Sequence, residues 1–387
     1  MKKYILLGSI ALALHLHAYE SDFEKYKNSF QHYKKAQKQQ YFSYKEAQEK
    51  AYNDYKTELK KFWNKPKLTT RKELVTYTED KKTRTTVDFK EQKLTVEVLA
   101  SSQKEADEKL KIALAKAVTV DTKTFYETDP LEKKLSSIKK NHSLVKTSIK
   151  KQAIISNVIF EKKPTKKELT HYVDKHLNDK YMKIKKSDKI KDKKVYTLNI
   201  PLPSDTTLKL SRQYLDNVKK YSKLQKIPIA LTFAIMQTES SFNPLARSHI
   251  PAYGLMQIVP KTAGIDSYYY LYKTKKLVSG SYLYDSHNNI RMGTAYLHIL
   301  YYKYLRHIKD PKTRLYCTIA AYNTGAGNIA WAFTHTYNIK KAAPYINALS
   351  AQEVYKHLLK NLKFDEPKRY LVKVTKRMDS YQQVYGM

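Results

Sequence analysis

The chain has 387 residues, 42% apolar and 28% charged, with 73 Lys plus Arg against 36 Asp plus Glu and a formal charge of +37. That apolar share excludes an intrinsically disordered chain, the length excludes a miniprotein and leaves room for two domains with cores of their own, and the single cysteine excludes an internal disulfide framework. Cys317 stands in the apolar run 315–320, where a buried thiol is expected. The basic excess is not confined to a tail, because 27 basic and 10 acidic residues lie from Pro201 onward and 46 and 26 before it. Charge alone fits nucleic acid, an anionic membrane or an anionic wall polymer.

The first residues have an export layout. Met1-Lys2-Lys3 is basic, Tyr4 to Leu14 is apolar, and Leu16-His17-Ala18 ends in a small residue, which predicts a secretory signal peptide over 1–18 and a periplasmic protein. The apolar run is shorter than the ~20 residues a membrane-spanning helix needs. No cysteine stands at the expected cleavage point, so a lipoprotein anchor is not expected.

Next come two stripes at helical spacing, Phe23, Tyr26, Phe30, Tyr33 and then Tyr52, Tyr55, Leu59, Phe62. They predict amphipathic helices to about residue 66, packed on the rest of the domain or lying on a membrane surface. The period then changes to two. Val87 and Phe89, and Leu94, Val96 and Val98, flank Lys90–Lys93 as a hairpin. Ser102 and Glu105 read as a capping box for a helix through Ala106, Leu110, Ala113 and Ala117. Strands are expected at 153–160 and 195–200, with a helix near 166–178 between them, while the lysine-rich stretch 183–194 reads as a solvated face or loop. Residues 19–200 thus read as a small mixed α+β domain, without an evident nucleophile, metal-ligand cluster or phosphate loop.

Pro201-Leu202-Pro203-Ser204 breaks both periods, which places the domain boundary there. From 201 to 387 the pattern is helical. Leu208, Leu215 and Val218 mark a first helix, and Pro228 opens a second through Leu231, Ala234, Ile235 and Thr238. Further helices are expected over Ile290–Tyr304 and Thr313–Ala321, then after a Ser350/Glu353 capping box, and from Pro367 through Leu371 and Val374. The expected class is therefore α+β, a mixed N-terminal domain followed by an all-α domain. Six of the eight glycines fall between Gly254 and Gly327. Glycine serves positive φ and close backbone approach, so the site is expected in this stretch.

Glu239 ends the second helix with Met236 and Ile235 on its side. Apolar surroundings disfavour a carboxylate, so such a group stays protonated near neutrality and serves as a general acid; a glutamate at a helix end is otherwise an ordinary surface residue. What singles it out is order and spacing: Glu239-Ser240-Ser241-Phe242-Asn243-Pro244, then Ser248 and Gly254-Leu255-Met256-Gln257, then Ala321-Tyr322-Asn323-Thr324-Gly325-Ala326-Gly327. Together these blocks resemble the lytic murein transglycosylase branch of the goose-type lysozyme-like fold. The likeness covers roughly 215–378, and Glu366-Pro367-Lys368-Arg369-Tyr370-Leu371 resembles the family's terminal tyrosine motif. Ser279–Leu297, Asp310-Pro311-x-x-Arg314 and Leu349-Ser350-x-x-Glu353-Val354-Tyr355 resemble a membrane-bound branch of that family. Members of that branch are lipid-anchored through a cysteine this chain lacks.

The resemblance implies an all-α lysozyme-like catalytic domain over 201–387. It also implies cleavage of the β-1,4 bond between N-acetylmuramic acid and N-acetylglucosamine in peptidoglycan, leaving 1,6-anhydromuramyl ends. Glu239 would be the catalytic acid and base. Ser248, Gln257, Tyr322, Asn323 and Tyr370 would line and position the sugar, with a packed aromatic as the lesser alternative for Tyr322 and Tyr370. A hydrolase of this kind needs two carboxylates roughly 5–9.5 Å apart, and in sequence Glu239 has no acidic neighbour closer than Asp216 and Asp266. Asp285 and Arg314 read as structural. The histidines, among them His249, His287, His298 and His307, show no ligand spacing. No metal or organic cofactor is implied. The expected partner is the peptidoglycan glycan strand, with peripheral contact to an anionic membrane as a further use of the charge, and no nucleic acid. A same-fold hydrolase, a non-catalytic wall-binding scaffold and a nucleic-acid-binding protein are the rival readings.

Overall fold

The computed structural model describes residues 46–138, 144–178, 180–248 and 251–386. The expected signal peptide, the stripe Phe23–Tyr33 and His249 lie outside these residues.

The first half is built on one antiparallel sheet of order β1-β2-β3-β5-β4, formed by β1 (Glu73–Tyr77), β2 (Thr83–Asp88), β3 (Lys93–Ala100), β4 (Met182–Lys186) and β5 (Lys194–Pro201). The expected hairpin pairs Asp88 with Lys93 at its mouth and Thr83 with Val98 further along; Gln92 takes the left-handed conformation (φ 52°) that lets the chain reverse. Alternation sends the two faces to different partners. Val75, Tyr77, Leu99 and Val195 pack on Tyr55, Leu59 and Trp63 of α1 (46–60) and its exit turn. Leu94, Val96 and Val98 join Leu110 and Leu114 of α2 (Gln103–Thr119) in the main core. The aromatic stripe over 52–62 thus packs on the sheet.

Helices α3 (Thr122–Thr128), α4 (Pro130–Ser137), α5 (Ser156–Ile159) and α6 (Lys166–His176) fill the connection from β3 to β4. Residues 153–160 are not the expected strand. Ile154, Ile155 and Val158 are all buried, a spacing that serves one side of a helical turn, so the run enters the core as α5 instead of alternating across a sheet. The lysine-rich stretch contains β4, an edge strand whose Lys183, Lys185 and Lys186 are exposed. Both strand faces there meet solvent, and the alternation Met182-Lys183-Ile184-Lys185 is too short to betray it. Ser102 Oγ does accept the Glu105 N–H (3.2 Å), but the Glu105 carboxylate takes the N–H of Ser101 (2.8 Å) in place of the cap residue's own.

Beyond Pro201 all regular elements are helical: α7 (Thr206–Gln213), α8 (Leu215–Gln225), α9 (Ile229–Ser240), α10 (Ile265–Tyr272), α11 (Gly280–Tyr284), α12 (Ser286–His298), α13 (Pro311–Thr324), α14 (Ala326–Thr334), α15 (Ile339–Asn347), α16 (Ala351–Asn361) and α17 (Asp365–Tyr385). Pro228 caps α9 from just outside, and the Ser350/Glu353 capping box forms as expected. Asp285 caps α12 and Arg314 Nε donates to the Ile308 carbonyl (2.7 Å), so both are structural in place. Cys317 is fully buried.

Helix α9 is apolar on every side, with Ala230, Leu231, Phe233, Ala234, Ile235 and Met236 all buried, which makes it the central helix of this half. Helix α17 packs along it, with the ring of Phe233 stacked on Tyr381 and Tyr385 (centroids 5.3 and 4.8 Å). One continuous core runs from the sheet through Ile154, Ile155 and Leu202 to α8 and α9.

Candidate active site

Three turns meet at the C-terminal end of α9. Ser240 Oγ donates to the Leu255 carbonyl (2.8 Å) and accepts the Phe242 N–H (3.1 Å), tying the helix end to the Gly254–Gln257 turn. Ser241 and Phe242 are both left-handed (φ 49° and 66°), a sharp exit held by burial of the Phe242 ring among Tyr214, Phe233 and Tyr381. Asn289 of α12 clamps the turn from below: its Oδ1 accepts the Met256 N–H (2.8 Å) and its Nδ2 donates to the carbonyls of Tyr253 (2.8 Å) and Leu283 (2.7 Å). Gly254 has φ 73°, and a Cβ there would stand 2.4 Å from both Asn289 Nδ2 and the Leu283 carbonyl oxygen. Only glycine fits. The third turn joins through Tyr322, whose hydroxyl donates to the Met256 carbonyl (2.8 Å).

Glu239 sits in the last turn of α9 and is 5% exposed. Its carboxyl is held above the ordinary range, first by burial, with the Glu366 charge adding to this; the Tyr370 hydroxyl and the cations of Arg71 and Lys72 oppose it. The C-terminal end of a helix also disfavours a negative charge. Tyr370 Oη is buried without a direct hydrogen-bond partner among the described residues, its leading polar interaction being with Glu239. Burial and the neighbouring Glu239 charge hold the hydroxyls of both Tyr322 and Tyr370 well above the usual range, so they are neutral donors.

The site residues expected from sequence divide into two groups. Glu239, Tyr322 and Tyr370 come together around one carboxyl. Gln257 lies on the adjoining turn, left-handed (φ 48°), with Nε2 donating to the carbonyls of Ala246 (3.1 Å) and Gly254 (3.0 Å) and Oε1 buried without a partner among the described residues. Asn323 follows Tyr322, half-buried in the last turn of α13. Ser248 stands apart from that cluster. Its Oγ accepts the Ala252 N–H (3.1 Å), and it lines a recess with Tyr52, Asn53, Arg247 and Pro251, beside α1.

Sequence reading missed Asn289, Arg71 and Lys72, and it read Glu366 only as part of the motif that carries Tyr370. Asn289 lies in the first turn of α12, one residue before the helix expected from sequence, and gave no signal of its own. Arg71, Lys72 and Glu366 are brought to Glu239 by tertiary packing. The acidic group that acts on Glu239 is therefore Glu366, and not the sequence neighbours Asp216 and Asp266.

Residues 216–344 match the family described as the transglycosylase SLT domain. Curated relatives include membrane-bound lytic murein transglycosylase C of Serratia proteamaculans, 42% identical over 188 residues that make 49% of this chain and 52% of the relative. The protein of the same name from Klebsiella pneumoniae is 42% identical over 188 residues, 49% of this chain and 51% of the relative. The chain spans about half the length of these relatives. Among solved structures, the 70 kDa soluble lytic transglycosylase from Escherichia coli aligns at 26% identity over 45% of this chain and 24% of that one, with a TM-score of 0.35. A complex of the 70 kDa soluble lytic transglycosylase with bulgecin A aligns at 24% identity over 47% and 26%, with a TM-score of 0.36. Residues 216–344, which hold a buried glutamate at the meeting of three turns, match the transglycosylase SLT domain family.

Proposed function

We propose that this chain is a lytic transglycosylase that cleaves the β-1,4 bond between N-acetylmuramic acid and N-acetylglucosamine in peptidoglycan. The observation that carries the reading is the Glu239 carboxyl, buried at the end of the central helix, where burial raises its hold on the proton above the ordinary carboxyl range. Protonated Glu239 gives its proton to the glycosidic oxygen as the bond from the muramyl anomeric carbon breaks, freeing the 4-hydroxyl of N-acetylglucosamine. The carboxylate then takes the proton of the muramyl 6-hydroxyl, whose oxygen closes the 1,6-anhydro ring on the anomeric carbon. Glu239 ends protonated and no water is consumed, so one carboxyl suffices where hydrolysis needs two.

The neutral hydroxyl of Tyr370 stabilises Glu239 while it is charged between the two transfers, and Tyr322, whose hydroxyl donates to the Met256 carbonyl, holds the adjoining turn in place. Gln257 Oε1, Asn323 and Ser248 are the groups assigned to the sugar amides and hydroxyls. In this reading residues 19–200 form an accessory domain and 201–387 the catalytic domain. The chain works in the periplasm, where its net charge of +37 favours the anionic wall polymer and anionic membrane surfaces. Among the described residues no helix is long and apolar enough to cross a membrane.

Glu366 makes a same-fold hydrolase the one competing reading, because it supplies a second carboxyl acting on Glu239. Mass spectrometry of sugars released from purified peptidoglycan by the full chain, Glu239→Gln and Glu366→Gln separates the readings. Anhydromuramyl ends from the wild type and Glu366→Gln, absent with Glu239→Gln, are the expected result. Reducing muramyl ends that depend on both carboxylates would overturn it in favour of hydrolysis, and binding without release would favour a scaffold.

A further inference from the structure

A turn outside the matched segment reaches the acid. Thr70 Oγ1 accepts the N–H groups of Lys72 (3.2 Å) and Glu73 (3.0 Å), and its carbonyl accepts the Arg247 N–H (3.4 Å). So held, the turn before β1 presents two consecutive cations to the end of α9. Lys72 Nζ donates to the carbonyls of Gln237 (3.0 Å) and Thr238 (2.6 Å) in the last turn of α9, the first of which also accepts the Ser241 N–H (3.1 Å). Arg71 places one guanidinium nitrogen 3.6 Å from Glu239 Oε2 and another 3.7 Å from Glu366 Oε1. Helix α17 brings Glu366, Tyr370, Lys373 and Arg377 to the same place on one helical face, with Arg377 donating to Thr238 Oγ1 (2.7 Å). Helix α13 brings Tyr322. These are the charged and titratable groups facing Glu239 and its helix end among the described residues.

We propose that Arg71, delivered by the sheet half of the molecule, is a positioning residue of the active site that sets how readily Glu239 releases and regains its proton. Burial, the helix end and Glu366 all favour the neutral acid, and an acid held too tightly protonated does not hand its proton to the sugar oxygen. Lys72 is a weaker counterweight, because burial pushes its proton affinity down to about 7 and its charge fades above neutrality. A guanidinium stays charged throughout. Lys72 and Arg377 instead hold the helix end in place, so the sheet half is part of the catalytic machinery. The proposal rests on the reading of Glu239 as the acid.

The test compares Arg71→Met, Arg71→Lys and Lys72→Met in the full chain. In kcat/KM against pH, activity requires protonated Glu239 and is lost on the alkaline side. Arg71→Met moves that alkaline limb to higher pH and lowers activity at the optimum by less than about tenfold, the size of one partly exposed charge pair; Arg71→Lys returns the limb towards the wild-type position. A limb that stays in place while activity falls at every pH, or that Arg71→Lys leaves displaced, overturns the proposal. Infrared difference spectra of each Arg71 variant against its Glu239→Gln counterpart follow the Glu239 carboxyl without substrate. Arg71→Met must shift that titration to higher pH, and an unmoved titration also overturns the proposal. Lys72→Met must lower activity without the limb displacement of Arg71→Met; a displacement as large as that of Arg71→Met overturns the assignment to Arg71. Absence of anhydromuramyl products from the wild type would instead sink the reaction assigned above, leaving the Arg71–Glu239 coupling to the infrared result.

Discussion

Two buried carboxylates, Glu97 in the sheet and Glu239 at the end of α9, are treated in opposite ways. Glu97 stands directly across the strand pair from Arg84, which donates to it from Nε (2.5 Å) and Nη2 (2.7 Å) while Nη1 donates to the Lys65 carbonyl (2.8 Å). The Trp63 ring covers that guanidinium at 4.3 Å. Glu239 is as deeply buried, yet its arginine stays at 3.6 Å, its tyrosine makes no direct hydrogen bond, and Glu366 acts against it. A buried charge given all its partners serves the fold, since removing one partner leaves the other uncompensated. A buried carboxyl given only part of its stabilisation keeps the proton exchangeable.

The sharpest way to break this contrast is to neutralise both sites in turn. Glu239→Gln lowers turnover by about 10²–10⁴-fold and leaves thermal stability unchanged or raised, since an under-stabilised acid is removed; product assays and calorimetry on the same preparation check both. Arg84→Met destabilises the chain by about 3–5 kcal/mol in denaturant unfolding, because Glu97 is left buried and unpaired. A silent Arg84→Met beside a destabilising Glu239→Gln would reverse the comparison. Gly254→Ala costs about 2–3 kcal/mol from left-handed strain and the clash with Asn289, with a loss of activity as the turn bearing Gln257 moves.

Stability against pH gives a further test at Asp129, which burial pushes up to about 7, helped by Glu132 and opposed by backbone hydrogen bonds and Arg247. An unfolded aspartate ionises near ~3.9, so between about pH 4 and 7 the folded chain holds a proton the unfolded chain has lost. Stability falls across that window as pH rises, and stays reduced above it. Asp129 caps α4 by accepting the Glu132 N–H (2.9 Å), which an asparagine also does. Asp129→Asn should therefore stabilise by up to about 4 kcal/mol at pH 8 and by about 1.5 kcal/mol at pH 5, read from melting curves at the two pH values.

The site was legible in sequence where its geometry is local. Gly254 and the Ala321–Gly327 turn announced themselves because a backbone conformation restricts the residue type, and Glu239 because of the order and spacing of the blocks that follow it. Arg71 was not legible, since no spacing along the chain relates a turn before β1 to the end of α9, and Glu366 was read only within the motif that carries Tyr370. In the fold, the α1 stripe and the β2–β3 hairpin followed from periodicity. Residues 153–160 misled because a wholly buried apolar run reads the same as strand or helix, and β1 went unread because five residues offer too short an alternation.

An open strand is a template on which another chain can pair. At one end of the sheet, β4 carries Lys183, Lys185 and Lys186 outward along five residues. A second copy approaching that edge must bring its own row of ammonium groups against these, so the strand that the sequence disguised as a loop also guards the molecule against growing into a fibre of its own copies.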